Sequence, residues 1–234
     1  YDEFDNLFTY ANRNITFTPS GDGQVTGSPD TSDINGISAP TSWTLKSTPG
    51  ANTLIAAGSG GALPGTAGSA TVTFNATSTS GSLDHFTLTG ISDPSTAGTP
   101  ENMIVTAKDS LNNTVTDYTG AVTFSSNDAL AVLPANYTYL DAEDGTHTFA
   151  SGITLKTAGA DKNAVVKAVT DASKAGTQDS IYVNAAATAD YMTLVQGDNQ
   201  SAVSGQNVAV EPQIRLYDEF DNLFTYANRN ITFT

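Results

Sequence analysis

The 234-residue sequence contains no cysteine, so no disulfide supports the fold and no thiolate-based zinc site exists. Basic residues are scarce: 9 Lys and Arg stand against 24 Asp and Glu, for a net charge of −15. Phosphate binding needs clustered Lys and Arg, so this balance argues against nucleic acid and anionic membrane surfaces as partners. It favours solubility and self-repulsion. No run of eighteen apolar residues occurs, so this segment inserts in no membrane. No signal peptide is visible, and a chain that begins mid-pattern would show none. No G-x-S-x-G, P-loop or dinucleotide fingerprint appears. The two histidines, His85 and His147, lack metal-ligand spacing and read as half-exposed strand residues. These absences point to a chain that is not an enzyme and carries no cofactor.

What is present is Thr, Ser, Ala, Gly, Asn and Val, with only 14% charged residues. Helical periodicity is hard to find. Short alternating runs, separated by Gly, Pro, Asn and Asp, recur throughout, which predicts an all-β chain of many short strands.

The sequence also repeats itself. YDEFDNLFTYANRNITFT occupies residues 1–18 and again 217–234, a period of 216 residues. Residues 217–234 carry −2 of the net charge, leaving −13 for one repeat. A weaker likeness lies at half that period. Thr87-Leu88 matches Thr193-Leu194, Ala97-Gly98 matches Ser204-Gly205, and Asp109-Ser-Leu-Asn-Asn matches Asp218-Glu-Phe-Asp-Asn. Val122-Thr-Phe matches Ile231-Thr-Phe, ITLKTAG (153–159) matches WTLKSTPG (43–50), and GTQDSIYVNA (176–185) matches GSATVTFNAT (68–77). One repeat is therefore two related domains of roughly 108 residues. The expected division is 1–83, a domain lacking its first strands and completed by the preceding repeat; 84–189, a complete domain; and 190–234, the first strands of the next. Eighteen identities suggest a window on a tandem array of near-identical copies. An engineered overlap, or separate subunits that complete each other by strand donation, would give the same ends.

In 84–189, ENMIVTAKD (101–109) places Met103, Val105 and Ala107 on one face. A turn at Ser110–Asn113 follows, then AVTFSS (121–126), with Val122 and Phe124 on one face. A short strand is expected at Asn136–Leu140, a turn at Asp144-Gly145 before a strand at 146–156, and a turn at Ala158–Asp161 before 163–171. QDSIYVNA (178–185) closes the domain with Ile181 and Val183 inward. Pro94 and Pro134 belong in loops or at edges. About seven strands with regular turns read as a β-sandwich.

The order T-A-G, alternating strand, D-x-x-x-N, V-T-F and then T-L-K-T-A-G resembles the bacterial immunoglobulin-like domains of the invasin and intimin type. That resemblance covers the whole repeat, twice over. It implies tandem immunoglobulin-like β-sandwich domains in a rod-like array, on a bacterial surface protein. In the family the turn reads D-x-x-G-N. Here the Gly position holds Asn112 and Asp221 (Asp5 in the first copy), residue types that tolerate positive φ. Trp43 aligns with Ile153 and reads as core.

Two acidic clusters are weak calcium candidates: Asp2, Glu3 and Asp5 (repeated as Asp218, Glu219 and Asp221), and Asp141, Glu143 and Asp144. Both fall where turns favour Asp, and neither fits a D-x-D-x-D-G loop. Asp84, Asp93 and Asp190 near the domain junctions are further candidates. Candidate N-glycosylation sequons occur at Asn14, Asn75, Asn112, Asn136 and Asn199, with Asn230 repeating Asn14. Lys108 and Lys156 lack an evident acidic partner for a Lys–Asn cross-link. Gly58–Gly61 reads as a flexible loop.

The expected function is a non-catalytic structural repeat of a long extracellular filament or cell-surface stalk. Its partners are neighbouring identical repeats joined end to end, with lateral bundling as a further option. The alternatives are an adhesin repeat for a host, carbohydrate or neighbouring-cell ligand, and a strand-donating subunit. Adhesion would call for an exposed aromatic patch, for which Tyr118, Tyr137, Tyr139, Phe8 and Tyr10 are the candidates.

Overall fold

A computed structural model of the chain describes residues 14–58, 71–226 and 231–232. Among them run β1 (Asn14–Pro19), β2 (Gln24–Thr26), β3 (Asp30–Thr31), β4 (Ser42–Thr44), β5 (Gly50–Gly58) and β6 (Thr71–Ser78). Next come β7 (His85–Thr89), β8 (Ser95–Thr96), β9 (Pro100–Lys108), β10 (Ala121–Ser125) and β11 (Tyr137–Thr138). A 3-10 turn at Asp141–Glu143 precedes β12 (Thr146–Thr154), β13 (Gly159–Ala168), β14 (Ala175–Asn184), β15 (Tyr191–Gln196) and β16 (Gln213–Tyr217). Two compact units result. The first is Tyr1–Gly81 with Leu111–Asn113, and the second is Ser82–Ser110 with Thr114–Thr234.

The second unit contains a two-layer sandwich. One sheet has the order β12-β9-β7 and the other β11-β10-β13-β14-β8. Period-two alternation decides the inner faces. On β9, Met103, Val105 and Ala107 are fully buried, while Ile104 between them is 38% exposed. Val122 of β10, Val166 of β13 and Ile181 and Val183 of β14 meet them from the other sheet, all completely buried. Each such aliphatic side chain contributes about 1.5–3 kcal/mol by leaving water. Among the described residues all pairings are antiparallel except one: β8 runs parallel to β14, with Ser95 opposite Val183 and Thr96 opposite Asn184. The chain thus starts in one sheet with β7 and crosses to the other at β8, the arrangement of an immunoglobulin-like β-sandwich.

An aromatic cluster closes part of this core. Tyr118 and Tyr137 meet the Tyr139 ring edge to face at 5.2 and 5.8 Å, and Phe124 meets Phe149 at 4.8 Å. The Tyr139 hydroxyl donates to Val105 O at 2.9 Å. Three expectations shift here. The strand expected over Asn136–Leu140 shrinks to two residues, because Tyr139 turns into the core and Leu140 faces solvent. The turn expected at Ala158–Asp161 is a register shift inside β13, between Gly159 and Lys162, with Asp161 at φ +58°. Trp43 is only half-buried, whereas its counterpart Ile153 is fully buried.

In the first unit, β3-β1-β5-β6 form one sheet and β2-β4 a hairpin. Phe17 and Leu54 are buried, but Val72 and Phe74 on β6 are 59% and 46% exposed. By strand register, Val72 opposite Ala56 and Phe74 opposite Leu54 stand where Gly176 opposite Val166 and Gln178 opposite Ala164 stand in the sandwich. Residues 190–226 of the second unit also expose apolar side chains. There β15 pairs with β16 from Tyr191↔Tyr217 to Leu194↔Ile214. Met192 and Leu194 are 57% and 58% exposed, where their counterparts Phe86 and Leu88 are buried.

Candidate functional site

The most constrained polar cluster among the described residues lies where the loop after β16 meets the sandwich. Tyr217-Asp-Glu-Phe-Asp-Asn leaves β16 and turns back, with the Asp221 amide donating to Asp218 O at 3.2 Å and the Asp218 amide to Asn222 O at 3.0 Å. Asp221 sits at φ +64°, and Asn112 at the matching position has the same +64°. A residue that tolerates the left-handed region is required at both places.

Asp218 is completely buried, yet every lone-pair direction is used. Its Oδ1 accepts the amides of Phe220 and Asn222, each at 2.9 Å. Its Oδ2 accepts the Ala186 amide at 2.7 Å and Asn222 Nδ2 at 2.9 Å. Burial pushes its pKa up, but the bonds from Ala186 and Asn222 outweigh burial and hold the carboxyl below its ordinary range.

Asn222 carries the contact onward. Its Oδ1 accepts the Ala158 amide at 2.7 Å and its Nδ2 donates to Lys156 O at 2.7 Å. The receiving loop, Lys156–Ala158, is the end of the T-L-K-T-A-G stretch. Asp128 fixes it from inside the sandwich: Oδ2 accepts the amides of Lys156 and Thr157 at 2.6 and 2.9 Å, and Oδ1 accepts the Thr157 hydroxyl at 2.6 Å. In the first unit Asn113, the counterpart of Asn222, donates to Ser47 O at 3.0 Å.

The apolar part of the contact is Phe220 on Gly98. A Cβ at Gly98 would lie 2.5 Å from the Phe220 ring, and Gly98 has φ +80°. Only glycine satisfies both demands. Lys156 Nζ stands 5.4 Å from the centre of the same ring. Tyr226 completes the contact, its hydroxyl donating to Ala185 O at 3.2 Å. Tyr191 stacks on Tyr217 at 5.2 Å and donates to Asp221 Oδ1 at 2.6 Å, which raises the phenol to about 12.

The sequence candidates fall as follows. Asp2, Glu3 and Asp5 lie outside the described residues, as do Phe8 and Tyr10. Of their copies, Asp218 and Asp221 hold the loop and Glu219 faces solvent. Asp141 and Asp144 are exposed. Glu143 accepts from the Leu140 amide and the Tyr137 hydroxyl and pairs with His147 Nδ1, and His147 stacks on Tyr137. Burial raises the Glu143 pKa, and the Leu140, Tyr137 and His147 contacts outweigh it, leaving the carboxyl below its ordinary range. No group of three or more His, Asp and Glu among the described residues is placed to hold a metal. Asp84 pairs with His85 and Lys174, Asp93 accepts the Tyr182 amide, and the Asp190 amide donates to Tyr217 O. Asn14, Asn75, Asn112, Asn136 and Asn199 are all exposed. Lys108 donates to Thr114 Oγ1. Gly58 ends β5, and residues 59–61 of the expected loop lie outside the described residues. Tyr118 and Tyr137 pack on the core and Tyr139 is within it, so these three form no exposed aromatic patch.

No family model and no curated protein matches the chain. Solved structures resemble it in fold at low identity. InvD of Yersinia pseudotuberculosis is 21% identical with a TM-score of 0.44, covering 95% of this chain and 64% of that one. FdeC, an adhesin of Escherichia coli, is 18% identical with a TM-score of 0.47, covering 96% and 68%. Invasin, a bacterial integrin-binding protein, is 15% identical with a TM-score of 0.37, covering 92% and 41%. The chain thus spans less than two thirds of the InvD structure.

Proposed function

We propose that the chain is a non-catalytic structural repeat of a long extracellular filament or cell-surface stalk, built from 216-residue units of two immunoglobulin-like domains with boundaries near residues 84 and 190. One observation carries this reading. The residues that recur along the sequence, Asp218 and Asn222 with the Gly98 and Lys156–Ala158 surfaces, are spent on fastening one segment to the preceding sandwich. A binding module would spend its recurring residues on an exposed face. A repeat whose recurring residues form its own joint is suited to reach and stiffness. A general acid or base for catalysis has no open place at this joint, since the Asp218 oxygens are filled by protein donors.

The test is the mass of the natural assembly under denaturing conditions. A polypeptide of many repeats supports the tandem stalk. A product near 24.2 kDa overturns it.

A further inference from the structure

We propose that Asn35 is a self-modifying site: its side chain condenses with the Gly36 backbone nitrogen, loses ammonia, and leaves a carboxylate that undoes the loop built on Asp33. Of all the asparagines in the sequence, only Asn35 is followed by glycine. The reaction needs the next backbone nitrogen to reach the Asn side-chain carbon, and a Cβ on that next residue would obstruct the approach. Both residues are exposed, so no packing holds the side chain away from the main chain. The Asn35 side-chain amide is held by a long bond, Nδ2 to Asp33 Oδ2 at 3.2 Å. The Gly36 amide donates to Asp33 O at 3.0 Å, an exposed turn bond that local opening breaks readily. In the first step the Gly36 nitrogen bonds to Asn35 Cγ and the Cγ–Nδ2 bond breaks. Nδ2 leaves as ammonia, taking the proton that the Gly36 nitrogen gives up, and a cyclic imide remains. Water then opens the ring. Attack at Cγ gives ordinary aspartate. Attack at the Asn35 backbone carbonyl carbon gives the isoaspartyl form, whose main chain runs through Cβ.

Asp33 organises the loop that receives the new charge. Its Oδ1 accepts the amides of Asn35 and Ile37 at 2.8 and 2.9 Å, and its Oδ2 accepts Asn35 Nδ2. Replacing Nδ2 by oxygen turns that donor into an acceptor facing the Asp33 carboxylate, so attraction becomes like-charge repulsion. The complete sandwich carries the ordinary product at the matching place. Counting back from the aligned Trp43 and Ile153, and allowing one extra residue at the β12 register shift, Asn35-Gly36 falls on Asp144-Gly145. Gly36 and Gly145 agree in backbone, with φ +75° and +72°, and Asp144 is exposed within the complete sandwich as Asn35 is in its own loop. The isoaspartyl form has no such counterpart, because it lengthens the main chain of the turn. Each converted copy of the 216-residue repeat moves from −13 to −14, so the charge of the chain records its time in solution.

The experiment incubates the 234-residue chain in oxygen-18 water and maps it with trypsin and mass spectrometry. Cleavage after Arg13 and Lys46 releases residues 14–46, whose asparagines are Asn14 and Asn35, and fragmentation tells the two apart. The expected result is a gain at Asn35 that grows with time, about 1 Da from exchanging NH2 for OH and about 2 Da from the labelled oxygen. Isoaspartyl methyltransferase is expected to label part of the product. Gly36→Ala is expected to slow the gain, and Asn35→Gln, at an exposed position, to abolish it without strain at φ +75°. Asn35→Asp carries the product charge from the start. In that variant the Ile37 amide is expected to exchange faster than in the parent, while the amides of β9 and β13 keep their rates. No gain at Asn35, during an incubation that converts a synthetic peptide of residues 30–41, overturns the site. An equal gain at Asn14 overturns the role of Gly36, and an unchanged Ile37 amide in Asn35→Asp overturns the effect on the loop. None of these readouts depends on the denatured mass of the natural assembly, so this site and the stalk reading fail separately.

Discussion

Replacing Asp218 by alanine tests the joint most directly. The carboxylate is fully buried and accepts three backbone amides and one side-chain amide. Removing it leaves the amides of Ala186 and Asn222 buried without an acceptor. A buried donor stripped of its partner costs about 1–3 kcal/mol, and bonds to a charged acceptor lie at the upper end. Part of the loss is recovered by water entering the space of the deleted carboxyl. A net cost of roughly 3 kcal/mol for closing the joint follows, which is about 150-fold in its opening equilibrium at 1.36 kcal/mol per decade. The assay is native-state amide exchange by NMR. The amides of Ala186, Phe220 and Asn222 are expected to exchange about 150-fold faster in the variant, while those of β9 and β13 keep their rates. Unchanged exchange at the three loop amides would refute the reasoning. Equal acceleration in β9 and β13 would refute it too, because the carboxylate would then support the whole sandwich and not the joint.

Three further outcomes follow from the same residues. Asp218 and Asp128 both have folded pKa values depressed below the ordinary carboxylate value of about 3.9. Their contribution is therefore fully present above that value and is lost as pH falls through the depressed folded values, so the loop 156–158 and the Asp218 loop are expected to loosen below about pH 4; stability that stays flat from pH 5 to pH 2 would contradict this. Gly98→Ala places a methyl 2.5 Å from the Phe220 ring at a backbone of φ +80°, and is expected to cost about 1–3 kcal/mol in melting experiments, with part of the loss restored by Phe220→Ala in the same chain. Chelation with EDTA is expected to leave the melting temperature unchanged, because the oxygens of Asp218 already accept protein donors; a clear fall in melting temperature on chelation would show that a cation holds part of the structure.

Much of the sandwich was legible because alternation marks buried faces without reference to any partner. Met103, Val105 and Ala107, and then Ile181 and Val183, read directly as inner faces and are completely buried. The two-residue β8 was not legible, because so short a segment has no period and its parallel pairing depends on a strand some ninety residues later. Trp43 was misjudged because alignment to Ile153 transfers a position but not its neighbours: Ile153 lies on β12 beside the long β9, whereas Trp43 lies on the three-residue β4, paired to β2 among the described residues. The joint shows the sharpest limit. T-A-G, D-x-x-x-N and T-L-K-T-A-G were each visible as marks of a fold, and nothing local says that the three meet. Gly98 matters because of Phe220, and Ala158 because of Asn222, residues 122 and 64 positions away. The acidic loop read as solvated or cation-binding, since sequence alone cannot distinguish a carboxylate waiting for a ligand from one already filled by amides.

The parallel pairing of β8 with β14 has a mechanical consequence. Chain enters the sandwich through β7 and leaves it through β14, so tension applied at the two ends drags β7 lengthwise past β9 and β8 lengthwise past β14. The contacts Ser95–Val183, Thr96–Asn184 and the Ala97 amide to Asn184 O then bear the load together and not one after another. Strands pulled in shear must yield all at once, whereas a hairpin pulled open at its end unzips bond by bond. Under flow or traction the force-dependent unfolding rate of such a sandwich governs how long it survives, more than its resting equilibrium stability. Two residues of parallel strand, the least conspicuous element in the fold, thereby carry the load when this sandwich is pulled at its ends.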